Sequence, residues 1–169
     1  RDRISSGLRL LQPVLQSLRA RDINEADTVT IVKDLLATVF FYYKYVEVTS
    51  EFAIRGTYVD LALKLDNTLM MLVEVKAIGL DLKDQFVKQA VDYAANQGVE
   101  WVTLTNGVIW QVYRVSFKQP IEHELLLKID LLASNPKSES DIGTLFLLSK
   151  EGMTKSLLGD YHAQRQALS

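Results

Sequence analysis

Residues 58–76 read YVDLALKLDNTLMMLVEVK, and the fold turns on how this stretch is read. Two runs of apolar and β-forming residues flank Asp66-Asn67-Thr68, whose types favour a chain reversal, so the spacing predicts a β-hairpin. Val59, Leu61, Leu63 and Leu65 take the odd positions of the first strand, and Leu69, Met71, Val73 and Val75 those of the second. One sheet face must be apolar on both strands, so odd residues pair with odd and the connection holds an odd number of residues. The three residues Asp66 to Thr68 meet that condition. Asp60 then lies opposite Glu74, both side chains leave the apolar face, and Lys76 joins them two residues further on.

Like charges directly across a strand pair are destabilising, so a bare fold has little reason to set Asp60 against Glu74. A divalent cation removes the conflict. Mg²⁺ prefers hard oxygen ligands and is usually held by one or two carboxylates, with water and substrate phosphate completing its shell. Such an ion polarises a phosphoryl oxygen and lowers the pKa of bound water, while a neighbouring lysine orients that water or neutralises developing charge. The constellation suits hydrolysis of a phosphodiester.

Asp60 followed after a hairpin by Glu74-Val75-Lys76 resembles the D…(D/E)xK signature of the PD-(D/E)XK nuclease superfamily. Glu25 upstream, Gln89 and Tyr93 as a QxxxY pair, and then LTNGVIWQVY extend the resemblance to the N-terminal nuclease domain of type I restriction enzyme R subunits, over roughly Asn24 to Val115. Tyr58-Val59 stands where the strict motif has a proline before the aspartate. The resemblance implies an α/β fold with a central mixed β-sheet flanked by helices, a restriction-endonuclease-like core. It also implies a Mg²⁺ site, with Mn²⁺ as substitute, formed by Asp60, Glu74 and the Val75 carbonyl, and by Glu25 directly or through water. Lys76 would be catalytic; because the nearby carboxylates oppose a lowered lysine pKa, charge stabilisation and water positioning suit it better than the role of base. Gln89 and Tyr93 would form the supporting shell or touch the DNA backbone.

Composition sets the outer bounds. A chain of 169 residues with 48% hydrophobic and 24% charged residues suits one globular domain. We divide it into a helical arm (1–20), a core (24–131) and C-terminal helices (138–168). The absence of cysteine excludes disulfides, thiolate catalysis and Cys-based zinc sites, and two histidines far apart in sequence argue against a histidine-rich metal centre. No apolar run reaches a membrane-spanning length and the start does not read as a signal peptide, so the expectation is a cytoplasmic protein. The chain opens on Arg rather than Met, which points to residues upstream. A net charge of −2 and a pI near 5.7 are unusual for a stand-alone DNA binder. Either lysines such as Lys83 and Lys88 line a narrow groove, or a motor or specificity subunit delivers the DNA.

Along the chain, Leu8, Leu11, Leu15 and Leu18 predict a helix that Pro13 kinks or starts. A second helix is predicted from Asn24, its N-cap, to Tyr42, with Val29, Val32, Leu36 and Val39 as an apolar stripe. Glu25 falls one turn before Val29 on that stripe and is expected to point inward; the plain alternative is a charge favoured by the helix dipole. Val46 to Phe52 reads as a strand and Arg55-Gly56 as a turn. A helix follows from Leu82 to Gln97, ended by Gly98, with Gln85, Gln89 and Tyr93 along one side, which without the family pattern would be a solvated face. Glu100 to Thr105 and Val108 to Val115 read as strands joined by Asn106-Gly107. Trp101 and Trp110 are read as packing residues rather than base-stacking ones. Ile121 to Leu131 reads as a strand, with a short helix as the alternative, and His123 on its surface; two amphipathic helices are expected beyond Asn135-Pro136-Lys137-Ser138.

The P-loop, GxSxG and HExxH patterns are absent, which excludes an ATP motor within these residues and the usual serine-hydrolase and zincin chemistries. The reading is a Mg²⁺-dependent DNA endonuclease of restriction-modification type. Its rival is a catalytically inactive module of the same fold that binds nucleic acid or assembles with a partner subunit, in which Asp60, Glu74 and Lys76 form only an ion-pair network. Cleavage of RNA or branched DNA would keep the chemistry. Oligomeric state stays open, a homodimer included.

Overall fold

A computed structural model describes residues 1–54 and 56–168. Its centre is a six-stranded sheet in sequential order: β1 (Val48–Ile54), β2 (Thr57–Leu65), β3 (Thr68–Val75), β4 (Trp101–Thr105), β5 (Ile109–Ser116) and β6 (Glu122–Asp130). Only the β3–β4 ladder is parallel, so the sheet is mixed, as expected. A parallel neighbour needs a crossover, and the segment after β3 supplies one through a 3-10 turn (Asp84–Val87) and α3 (Lys88–Gln97). Gly98, at φ +71, ends α3 in the left-handed conformation that glycine adopts without penalty.

Two apolar clusters cover the two faces. Val87, Ala90, Val91 and Ala94 of the crossover pack on Ala62, Leu72, Val102 and Leu104. On the other side, α1 (Asp2–Ala20), α2 (Glu25–Thr38), α4 (Glu139–Leu148), α5 (Lys150–Thr154) and α6 (Leu157–Leu168) enclose Leu61, Leu63, Met71, Val73 and Trp110. The arrangement is an α/β fold with helices on both faces of the sheet.

Several elements differ from expectation. Pro13 lies inside α1 and neither starts nor ends it, because burial of Ile4, Leu8 and Leu15 holds the helix on both sides of the missing donor. Asn24 caps α2 by accepting the Asp27 N–H at 2.8 Å, but the helix stops at Thr38, short of Tyr42. Phe41 there takes φ +67, outside the helical region. The first strand begins at Val48, leaving Val46 exposed. Of the expected Arg55-Gly56 turn, Arg55 lies outside the described residues, and Gly56 has φ +80. The predicted helix from Leu82 begins only at Lys88, after the 3-10 turn. The Asn106-Gly107 connection is longer than a two-residue turn: β5 starts at Ile109, and Asn106 Oδ1 accepts the N–H groups of both Val108 and Ile109. Residues 122–130 are a strand, and three helices rather than two follow. Trp101 and Trp110 are buried, as read.

The decisive hairpin has the expected register by a different route. Leu61 pairs with Val73 and Leu63 with Met71, but Lys64 pairs with Leu69, so Met70 is an extra residue that forms a bulge. The turn is only Asp66-Asn67, both at positive φ, the two-residue geometry that suits hairpin twist. The bulge supplies the odd count that a three-residue connection was expected to provide. Consequently Met70 joins the cluster enclosed by α1 and α2, and Leu69 the cluster beneath α3.

Candidate active site

Asp60 sits in β2 where the alternation of faces breaks. Val59 packs with the cluster beneath α3, whereas Leu61 and Leu63 pack on the opposite face. Next to this break Glu51 of β1, between the Ser50–Leu61 and Phe52–Val59 pairs, has φ +49. A left-handed residue in an edge strand twists the ladder locally, which explains why Val59 leaves the face that alternation predicts for it.

The register places Asp60 beside Glu74, and two hydrogen bonds record it. The Val75 N–H donates to Asp60 Oδ2 at 2.8 Å, and the Asp60 N–H donates to Glu74 Oε1 at 3.3 Å. Among the described residues nothing donates a hydrogen bond to Asp60 Oδ1 or Glu74 Oε2, so each carboxylate keeps one oxygen uncommitted. Both groups are half-buried. Burial, and then the Asp60 charge, push the Glu74 carboxyl up to about 7; burial likewise raises Asp60, partly offset by the Val75 N–H and by Lys76.

Lys76 is close enough to favour both carboxylates in their charged form, yet among the described residues no ion pair within 4.0 Å ties it to either. Its Nζ instead lies 4.7 Å from the centroid of the Phe86 ring. Glu25 departs from expectation: it is exposed rather than pointing inward, at the first position of α2, directly after the Asn24 cap. It still acts on Glu74, whose carboxyl it helps to raise. Gln89 is exposed; Tyr93 is half-buried, edge-on to Phe52 at 6.1 Å. These two residues line a hollow of about 200 Å³ with Ile54, Thr57 and Asp92. The structure thus brings Asp60, Glu74, Val75 and Lys76 together, with Glu25 at the margin and Gln89 and Tyr93 on the adjoining helix.

The donor set can be tested against Mg²⁺. Two uncommitted carboxylate oxygens in a half-buried place suit a hard divalent ion, which would also relieve the repulsion that raises Glu74. No group of three His, Cys, Asp or Glu side chains converges among the described residues, so the side-chain donor set here is the pair Asp60 and Glu74.

Other residues support this site without any local signal in the sequence. The Lys76 N–H donates to the Thr105 carbonyl at 2.9 Å. The Ile78 N–H donates to Thr28 Oγ1 at 3.1 Å, and the Thr28 hydroxyl donates to the Asn24 carbonyl at 2.8 Å, tying the segment after Lys76 to the first turn of α2. Asn106, buried at the β4–β5 turn, donates from Nδ2 to the Leu80 carbonyl at 3.1 Å. Thr28→Val keeps the shape of a fully buried side chain and strands the Ile78 N–H, so a loss of about 1–3 kcal/mol in urea unfolding is expected, with Thr28→Ser close to wild type. Equal stability of the Val variant would show that this bond does not hold the segment.

No helix among the described residues is long and apolar enough to cross a membrane. Comparison with curated proteins found no match, and neither did comparison with solved structures. A family model does match: residues 24–129, more than half of the chain, fit the one described as "Type I restriction enzyme R protein N terminus". The match contains the hairpin, its two carboxylates, Lys76 and the crossover helix, and the chain belongs to the family of type I restriction enzyme R protein N-termini.

Proposed function

We propose that this chain is the nuclease module of a restriction system, a Mg²⁺-dependent DNA endonuclease that hydrolyses phosphodiester bonds. The observation that carries the reading is the pair Asp60 and Glu74, set side by side with one free oxygen each and with no ammonium bound between them. Those two residues would hold the ion, with the Val75 carbonyl beside them and Glu25 acting through water. When bound, the ion would polarise the scissile phosphate and acidify a water molecule.

The remaining roles belong to the chain itself. Lys76, beside two carboxylates, would stabilise negative charge that grows on the phosphoryl group. The Val75 N–H fixes the Asp60 carboxylate, and the Thr105 carbonyl fixes the backbone at Lys76, so both carboxylates are held on strands and Lys76 directly after one. Gln89 and Tyr93, on the crossover helix beside a shared hollow, would contact the DNA backbone. DNA is the proposed substrate, and motor and specificity subunits are the proposed partners. A module of net charge −2 gains little affinity from phosphate contacts, so those subunits would supply the grip.

Calorimetry with Mn²⁺, a proxy for weaker Mg²⁺, tests the site without needing the partners. Wild type is expected to bind, and both Asp60→Asn and Glu74→Gln, which preserve shape and remove charge, are expected to abolish binding. A wild type that binds no Mn²⁺, with DNA present as well as absent, would sink the nuclease reading and leave an inactive module of the same fold.

A further inference from the structure

A lysine next to two carboxylates ordinarily collapses onto one of them as an ion pair. Lys76 does not: its ammonium rests over the face of Phe86, 4.7 Å from the ring centroid. Such a seat attracts the cation through the ring quadrupole and occupies no carboxylate oxygen. We infer that Phe86 is a positioning residue for Lys76, holding its ammonium beside Asp60 and Glu74 while keeping it out of an ion pair with either. This inference deepens the nuclease reading and rests on it for its functional consequence.

The seat is itself anchored. Phe86 belongs to the 3-10 turn, where its N–H donates to the Lys83 carbonyl at 2.9 Å, and its ring packs on the apolar cluster that includes Val87, Ala90 and Leu104. Two residues before it, Asp84 binds His123 Nε2 at 2.9 Å, and the His123 ring lies edge-on to Tyr113 at 5.5 Å. His123 thereby pins the turn to the edge strand β6. The ring face has a fixed place relative to β3 because both ends of its turn are tied down.

Without the seat, the flexible four-carbon stem of Lys76 would let the ammonium pair with Glu74 or Asp60, and an arriving divalent ion would have to displace it. Phe86→Leu keeps apolar volume and removes the π face; Phe86→Tyr keeps both. In wild type and the Tyr variant, NMR of selectively ¹³C-labelled lysine is expected to show the Lys76 εCH₂ protons shifted upfield by the ring, with Lys76→Met identifying the signal. The Leu variant is expected to lose that shift and to bind Mn²⁺ about twofold to fivefold more weakly, the range of a surface cation–π contact. Adding Lys76→Met to Phe86→Leu is expected to restore affinity, because the competing ammonium is gone.

Absence of an upfield shift in wild type overturns the seat. A lost shift with unchanged Mn²⁺ affinity overturns its role in sparing the carboxylates. A fall in affinity that Lys76→Met does not reverse assigns the loss to misfolding of the turn and equally overturns it. Should wild type bind no Mn²⁺ at all, the nuclease reading fails, and the ring-shift comparison still decides whether Phe86 holds Lys76.

Discussion

Replacing Glu74 with Gln is expected to make the metal-free chain more stable at pH 8, by roughly 3 kcal/mol, although it destroys the proposed ion site. The reason is the cost of keeping Glu74 charged. Burial and Asp60 move its carboxyl from an ordinary value of 4.5 to about 7. A carboxyl raised in this way favours the folded state fully below pH 4.5, and that contribution disappears as pH rises through 7. Wild type in EDTA should therefore lose stability between about pH 5 and pH 8, and Asp60, also raised by burial, adds to the same trend. Gln retains the Oε1 acceptor for the Asp60 N–H and does not titrate, so the variant's stability should be flatter with pH. Urea unfolding at the two pH values measures the difference. Mn²⁺ should then restore wild type at pH 8 and leave the Gln variant unchanged. Parallel pH profiles for the two proteins would show that Glu74 is not electrostatically strained.

Trp110→Ala is expected to cost about 3–5 kcal/mol in denaturant unfolding. Trp110 is fully buried on β5, packs at 59° against Phe40 with centroids 5.3 Å apart, and donates from Nε1 to the Gly107 carbonyl at 2.9 Å. Truncation empties space between the sheet and the end of α2 and strips a partner from the turn after β4. Trp110→Phe should lose less, since it refills most of the volume and forfeits mainly the hydrogen bond. A loss below about 1 kcal/mol for the Ala variant would contradict a packed, water-free position.

The residues that made the site legible are those whose signal is local. Asp60, Glu74 and Lys76 lie within one hairpin, and period-two alternation sufficed to bring them together. The same alternation misassigned Val59 and Leu69, because a bulge at Met70 and a twist beside Glu51 each move a side chain across the sheet, and neither leaves a mark in a hydrophobicity pattern. Glu25 illustrates a different limit. Helical spacing puts it on the apolar stripe, but Glu25 is exposed together with Ala26 and Asp27, and burial in α2 begins only at Thr28. Thr28, Asn106 and Phe86 were invisible for a third reason: their partners are Ile78, Leu80 and Lys76, contacts made by folding rather than by neighbourhood in sequence.

The sheet is two three-stranded meanders, β1–β3 and β4–β6, each closed by short reversals and joined along one parallel ladder. Meanders of this kind form from contacts close in sequence, whereas the joining ladder waits for the whole crossover to close. Glu74 stands on that seam, paired with Leu104, and Lys76 is bonded across it to Thr105. The two halves would thus form separately, and the carboxylates, both carried by the first, would acquire their final surroundings only when the halves dock. Amide exchange in the metal-free chain, expected to be faster at the seam residues Lys76 and Thr103 than at Val112 in the heart of the second meander, would report that order.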